Sequence, residues 1–425
     1  MPSPLQVAVL GAGHRAVLYA SYALTHPEEM QITAVIDPDP LRRDALANAH
    51  QIPPQHRFAT LNAFLSHKQL ASAVINGTMD DLHVSTTLPL LDAGLNVLLE
   101  KPIATTPADL QRLLATARKS QRTVMICHVL RYAPFYLRIR ELIADGTLGD
   151  ILTIETSEHV SYFHMAVGFV RGKWNRQDRC HSSMLMAKCC HDLDLLTWLK
   201  SGIAPTTVHS FGNLSYFRKE NAPPNSGTRC LLDCQIEPTC PYSAKTIHVD
   251  QNIFHFYAWE TIEHLGGKGA TREQKLHSLK TDNPHGRCVW RSDNDVVDHQ
   301  NLIIQFADGS IASHTMVGGS ARGCRNIHIV GTKAEIQGTM EDAFFLLRTP
   351  NPATPKRYTE ERIETLGQGD MHGGGDLLLV ADFLRQLRGQ PHSLSATTLE
   401  DSIHGARIAF AADESRIDHR PIMLE

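Results

Sequence analysis

The chain lacks any run of the ~18 apolar residues that a bilayer-spanning helix needs, so no transmembrane helix is expected. It also lacks an excess of either charge. Its 41 Lys and Arg stand against 45 Asp and Glu, a formal charge of -4, which gives no electrostatic footprint for nucleic acid. No secretory leader is expected, because the strand-like stretch Leu5–Leu10 begins almost at the first residue. These absences point to a cytoplasmic protein with small-molecule partners. What remains is an ordinary globular composition, 42% hydrophobic and 20% charged over 425 residues, long enough for two domains with sizeable cores.

The first 130 residues alternate short β-branched runs with helical stretches. Strands are expected at Val7–Leu10, Ile32–Ile36, Ala73–Asn76, Asn96–Leu99 and Thr123–His128. Between them, Val17–Thr25, Pro40–His50, His83–Ala93 and Pro107–Ser120 carry helical spacing or helix-start residues. Such alternation builds a doubly wound parallel sheet, a Rossmann-type α/β domain over residues 1–130. Residues 131–425 read differently. After a helix at Tyr136–Ala144, strands are expected at Ile151–His159, Thr207–Phe217, Asn301–Phe306, Ile311–Met316 and Asn326–Val330. Few crossover helices separate them, so an α+β domain with a large, open-faced, mainly antiparallel sheet is expected. Residues 218–290, rich in Pro, Gly, Cys and His, read as an insertion. Two late helices, Asp376–Leu387 and Thr397–Arg416, are expected to pack back on the domain junction.

The first strand runs into Gly11-Ala12-Gly13-His14-Arg15-Ala16 and then a helix. Gly11 permits the tight turn, Gly13 lets backbone approach a pyrophosphate, and Ala16 takes the third small position. The helix N-terminus offers free N–H groups to phosphate. Asp37 ends the second strand, where a carboxylate can accept from both adenosine ribose hydroxyls and repel a 2′-phosphate. NAD is therefore the expected cofactor. Arg42 and Arg43 stand close enough to reach a phosphate or stack on adenine.

Leu98-Leu99-Glu100-Lys101-Pro102 closes a hydrophobic strand with two opposite charges. Ligands in open α/β sheets bind beyond the carboxyl ends of strands. An ammonium there can hold a substrate hydroxyl and relay its proton as hydride leaves. The order Gly11-Ala12-Gly13, Asp37, Asn76 to His83, Glu100-Lys101-Pro102, Arg131-Tyr132-Ala133-Pro134 and Asp192–Leu199 resembles the glucose–fructose oxidoreductase/inositol dehydrogenase (Gfo/Idh/MocA) family. The resemblance covers most of the chain apart from the insertion. It implies hydride exchange at a sugar or cyclitol carbon, with the lysine beside the nicotinamide, usually in a dimer or tetramer. It assigns Thr78, His83, Glu100, Lys101 and His128 to the cofactor, with His14 and Arg15 from the turn. It places Arg131 and Tyr132 with the substrate, where the domains meet.

The resemblance extends to Met184–Leu196, the family helix that brings a histidine to the substrate. Leu185, Cys189, Leu193 and Leu196 recur at helical spacing as its buried stripe. His191 is the matching acid/base or hydrogen-bond partner near pH 7. Asp194 orients a neighbour on the substrate side. Many relatives carry an aspartate four residues before that histidine. This chain has Ala187 there, and Lys188 is the candidate replacement. His164, Arg171 and Trp174 follow the second domain's first strand. An indole can stack on a pyranose, and arginine can bind hydroxyls. His372 precedes the glycines and Asp376 that open a late helix, and is expected to face the pocket.

Cys230, Cys234, Cys240 and Cys288 lie in or at the edge of the insertion. The x3 and x5 spacings are not the Cys-x2-Cys of zinc sites, and the fourth thiolate would come from distant Cys288. Free structural thiols are expected, with a metal or disulfide as the alternative, and no metal is assigned. The Asp293-Asn294-Asp295 and Asp298-His299 stretches read as polar strand-entry turns. The functional expectation is an NAD-dependent oxidoreductase transferring hydride at a ring carbinol, C3 of a pyranoside or related sugar. The alternatives are an NAD-recycling glycosidase and a non-catalytic dinucleotide-binding sensor. Homo-oligomer formation through the open sheet is expected in either catalytic case.

Overall fold

The computed structural model describes residues 3–365 and 372–424. Strands β1 (Leu5–Leu10), β2 (Met30–Ile36), β3 (Arg57–Phe58), β4 (Ala73–Asn76), β5 (Asn96–Leu99) and β6 (Val124–Ile126) form one sheet in the order β3-β2-β1-β4-β5-β6. Every pair in it is parallel. Both faces are covered by helices, so these strands are continuous apolar runs, as Val97, Leu98 and Leu99 with no exposure illustrate. The helix Pro107–Ser120 shows why local signals were readable. The Thr106 hydroxyl accepts from the Asp109 N–H, Pro107 fills the first turn, and Gln121 ends the helix in left-handed conformation. Its stripe of Leu110, Leu113, Leu114 and Ala117 is buried against the sheet.

The second sheet contains β7 (Ile151–Ser161), β8 (Pro205–Asn213), β9 (His299–Phe306), β10 (Ile311–Ser320), β11 (Cys324–Gly331), β12 (Glu335–Thr339), β13 (Phe344–Pro350), β14 (Tyr358–Glu364) and β15 (Ile422–Met423). Their order is β14-β13-β12-β11-β7-β10-β9-β8-β15. The fold class read from the sequence is borne out, with one refinement. The pair β7/β10 is parallel while β7/β11 is antiparallel. A strand lying between two successive antiparallel strands must run parallel to one of them. Strand β8 ends at Asn213, short of Phe217, because the Asp298 carboxylate accepts from the N–H groups of Ser215, Tyr216 and Phe217. Asp298 is thus a backbone cap.

One face of this sheet is covered by the helices Cys190–Leu199 and Leu399–Asp418. The late helix Leu399–Asp418 also packs on Pro107–Ser120, and Gly375–Leu387 packs on His14–Ala20. Thr397 joins the edge of β6, accepting from the Ile126 N–H at 3.1 Å. The opposite face of the second sheet stays open, with Phe211, Ile303 and Ile311 exposed. Among the described residues, no helix is long and apolar enough to cross a membrane. The 218–290 region is a set of short helical turns with a small core of its own, seven residues centred on Trp259.

At the junction, Arg131 grips Asp194 with two hydrogen bonds of 2.7 and 2.5 Å, both residues fully buried. His128 lies 3.7 Å from the same carboxylate. Burial pushes the His128 imidazole down to about 4; Asp194 opposes this and Arg131 adds to it. Between pH 6.5 and 4 the unfolded chain therefore binds a proton that the folded chain refuses. Stability present above pH 6.5 falls as pH drops, by ~3 kcal/mol from this residue. Urea unfolding at pH 7.5 and 5.0 should show the loss, and His128→Gln should lower its slope, the other buried histidines supplying the remainder. An equal slope in the variant would refute this origin.

Candidate active site

The phosphate turn is set by packing between β1 and β4. Gly11 has φ +80°, and a Cβ there would fall 2.7 Å from the Gly77 carbonyl oxygen. A Cβ on Gly77 would meet that of Ala16 at 2.8 Å, so helix and strand close on one another through small residues. Gly13 faces open space. The Asp37 carboxylate accepts from the Ala12 N–H at 2.6 Å and from the Asp39 N–H at 2.8 Å. It therefore ties the end of β2 to the turn while lining the cleft. We expect Asp37→Ala to raise the Kd for NAD about tenfold, ~1.4 kcal/mol, and to narrow the preference over NADP. Calorimetric titration with both dinucleotides measures this, and unchanged affinities would remove Asp37 from the site.

These residues open onto a cleft of about 320 Å³ between the two sheets. Gly11, Gly13, His14, Arg15, Asp37, Arg42, Thr78, His83 and Glu100 line one part of it. Lys101, His164, Trp174, Lys188, His191 and His372 line the rest. Glu100 accepts from Arg15 at 3.0 Å, from the Tyr19 hydroxyl at 2.7 Å and from the Lys101 N–H at 2.7 Å. Burial raises its pKa, but Arg15 and Lys101 outweigh that and hold the carboxyl below its usual range. Arg15 also binds Asp376, which accepts from or pairs with His372 at 3.0 Å. His83 is buried, its two ring nitrogens on the carbonyls of Pro102 and Thr78.

The Lys101 ammonium donates to the Ala187 carbonyl at 3.0 Å. The position lacking the family aspartate thus meets the lysine through its backbone. The segment Leu185–Cys189 is a wide, π-type turn leading into the helix Cys190–Leu199, and the anticipated stripe of Leu185, Cys189, Leu193 and Leu196 is buried. The rest of that helix is buried too, so it is a core helix with no solvent face. Lys188 is no solvated lysine; it pairs at 2.9 Å with Glu158, itself buried. Arg325 bonds the same carboxylate at 2.7 Å and Asp192 at 3.0 Å. His191 differs from expectation in one respect. Burial, with the nearby Lys101 charge, pushes its imidazole well below the usual histidine value, so it is neutral at pH 7. Its Nδ1 is buried with no hydrogen-bond partner among the described residues.

Several expected residues lie outside the cleft wall. Arg131 and Asp194 are spent on one another, and His128 is packed beside them. The Tyr132 hydroxyl donates to Asp382 at 2.7 Å, away from the cleft. Arg171 is buried and donates to the carbonyls of Arg287 and Tyr242. Each is a junction or core group because a buried charge needs a partner more than it can serve a ligand. Arg42 does line the cleft, but its guanidinium is held at 2.9 Å by Glu263 of the insertion.

The 218–290 segment contributes more than the sequence suggested. Phe254, Tyr257 and Glu260 line the cleft. Tyr257 lies edge-on to the His14 and Trp174 rings at 5.1 and 5.7 Å. The His14 ring is kept neutral, pushed down to about 3 by burial and Lys173. Asp80, also in the wall, accepts from Trp174 Nε1 at 3.1 Å and Ser182 Oγ at 2.8 Å. Asp80 sat within the quoted Asn76–His83 stretch and was readable there. Arg325 arrives from β11, and nothing local marked it.

Residues 5–128 match the family described as "Oxidoreductase family, NAD-binding Rossmann fold", and residues 140–424 match its C-terminal alpha/beta domain. The chain belongs to the Gfo/Idh/MocA family. The putative oxidoreductase YteT of Bacillus subtilis is 25% identical over 73% of this chain and 71% of its own length. The D-glucoside 3-dehydrogenase of Escherichia coli is 30% identical over 35% of this chain, which spans 42% of that protein. A levoglucosan dehydrogenase solved with NADH and levoglucosan superposes with a TM-score of 0.72 at 14% identity, covering 99% of both chains. As a Gfo/Idh/MocA member the chain is an NAD-binding oxidoreductase. The open space at Gly13, the Asp37 carboxylate and the buried, unpartnered Nδ1 of His191 fit such a cofactor and a polar substrate.

Proposed function

We propose that this enzyme oxidises a ring carbinol of a pyranoside or related sugar, at C3, with NAD as hydride acceptor. The observation that carries the reading is Lys101, at the carboxyl edge of β5, sharing one cleft with neutral His191. A dinucleotide held by the Gly11–Gly13 turn and Asp37 would supply the hydride acceptor for the carbinol carbon. Lys101 holds the substrate hydroxyl and passes its proton on, while His191 accepts a hydrogen bond or the proton itself. Trp174 and Phe254 offer flat apolar faces to a sugar ring. The name of the Escherichia coli relative, a D-glucoside 3-dehydrogenase, supports position 3. A cytoplasmic setting belongs to the same reading. So does assembly of copies through the open sheet face, where Phe211, Ile303 and Ile311 are exposed.

A second reading is favoured by the surplus of bases. His164, His191 and His372 all line the cleft, although one base suffices for a dehydrogenase. Oxidation at C3 acidifies the C2 proton, a second base removes it, and the aglycone leaves from C1. Water then adds at C1, and the hydride returns to C3 with no net redox change. Incubation with NAD and methyl or aryl glucosides separates the two. The dehydrogenase accumulates NADH and a 3-keto product; the glycosidase frees the aglycone without NADH accumulating. Neither product from any of a panel of glycosides, free sugars and cyclitols would refute both.

A further inference from the structure

We propose that Cys230, Cys234, Cys240 and Cys288 hold a [4Fe–4S] cluster that ties the early part of the 218–290 segment to its end. The four residues, from two distant stretches of chain, line one small cavity. All are free thiols; Cys230 and Cys288 are buried, Cys234 and Cys240 half-buried. Two donors in the same wall point to an anionic occupant. Arg171 is 1% exposed, and its Nη2 donates to Cys230 Sγ at 3.5 Å and to the Tyr242 carbonyl at 2.8 Å. Its Nη1 is buried without a partner, and among the described residues no carboxylate pairs with it. Trp290 Nε1, likewise buried and unpartnered, belongs to a residue of the same wall. Glu237, the one carboxylate lining the cavity, accepts from Ser243 Oγ.

A buried guanidinium without counter-charge is costly, and neutral thiols or disulfides leave it so. Four thiolates on a cluster carry net negative charge and accept N–H bonds at sulfur. The spacing argues against a single zinc. Tetrahedral zinc at about 2.3 Å from each sulfur brings the sulfurs to about 3.8 Å apart. Among the described residues, no three of these sulfurs lie within 4.8 Å of one another. In a cubane each cysteine binds a different iron, so its sulfurs stand farther apart. In binding a preassembled four-iron, four-sulfide core, each sulfur forms one bond to iron and releases its proton. Four protons leave and no electron is transferred.

The test is anaerobic purification of the full chain, followed by anaerobic reconstitution with sulfide and equal amounts of ferrous and ferric iron, which together carry the oxidation level of a [4Fe–4S]2+ core. About four iron and about four acid-labile sulfide per chain are expected, with a broad visible absorption bleached by dithionite. Cys234→Ser and Cys240→Ser should each lower the iron content at least about fivefold. Cys324→Ser, outside the cavity, should leave it unchanged. One zinc per chain without sulfide overturns the cluster, as does a wild-type chain that stays free of iron after reconstitution. Disulfides among these four cysteines in the anaerobic protein overturn it equally.

Discussion

Lys101→Met should lower kcat by about 10³-fold while shifting the Kd for NAD by less than about tenfold. The substitution keeps the length of the side chain and removes only the ammonium that reaches the Ala187 carbonyl. Glu100 keeps Arg15 and Tyr19 as donors, so the cofactor end of the cleft stays assembled. Lys101→Arg should recover little, because a planar guanidinium cannot occupy the same point near a hydroxyl. Trp174 lies in the cleft wall and gives a fluorescence signal for NAD binding, so binding and turnover are read separately. Wild-type turnover in Lys101→Met would remove Lys101 from the chemistry of both catalytic readings, while a wild-type chain that binds NAD and turns over nothing would leave a dinucleotide-binding sensor.

The largest stability effect belongs to the buried pair at the junction. Arg131→Met leaves Asp194 in the interior without its two-pronged donor, and we expect a loss of ~3–5 kcal/mol in urea unfolding. Arg131→Met combined with Asp194→Leu should recover much of that, since no unpaired charge then remains. A double variant as unstable as the single would show that packing, and not the stranded carboxylate, sets the cost. Both residues were expected at the substrate. Sequence shows that a charged residue sits near a junction, but not whether another buried charge has already claimed it.

The same distinction explains what was legible. Strands β1, β2, β4 and β5 were readable because strands buried on both faces are continuous apolar runs with turn residues at their ends. β14, Tyr358–Glu364, was missed because it is an edge strand with five of its seven residues exposed, four of them Glu or Arg. In the site, Lys101, His191 and the phosphate turn sit where strand ends and helix starts must place them. Arg325 does not. It reaches Glu158 and Asp192 through the pairing of β11 with β7, a contact between positions more than 130 residues apart. The aromatic wall from Phe254 and Tyr257 was hidden for a related reason, since a segment of short turns carries no periodicity to read.

The ion pair between Arg42 and Glu263 also has an expected consequence for timing. It joins the far end of the Rossmann half to the inserted segment, closing the cleft wall over its dinucleotide end, and both side chains are about a third exposed. A clasp so open to water is weakened by dissolved salt. Exchange of spent for fresh cofactor is then expected to quicken as ionic strength rises, while the chemistry proposed for Lys101 is not. An enzyme built this way is slowest to let go of its dinucleotide in dilute solution.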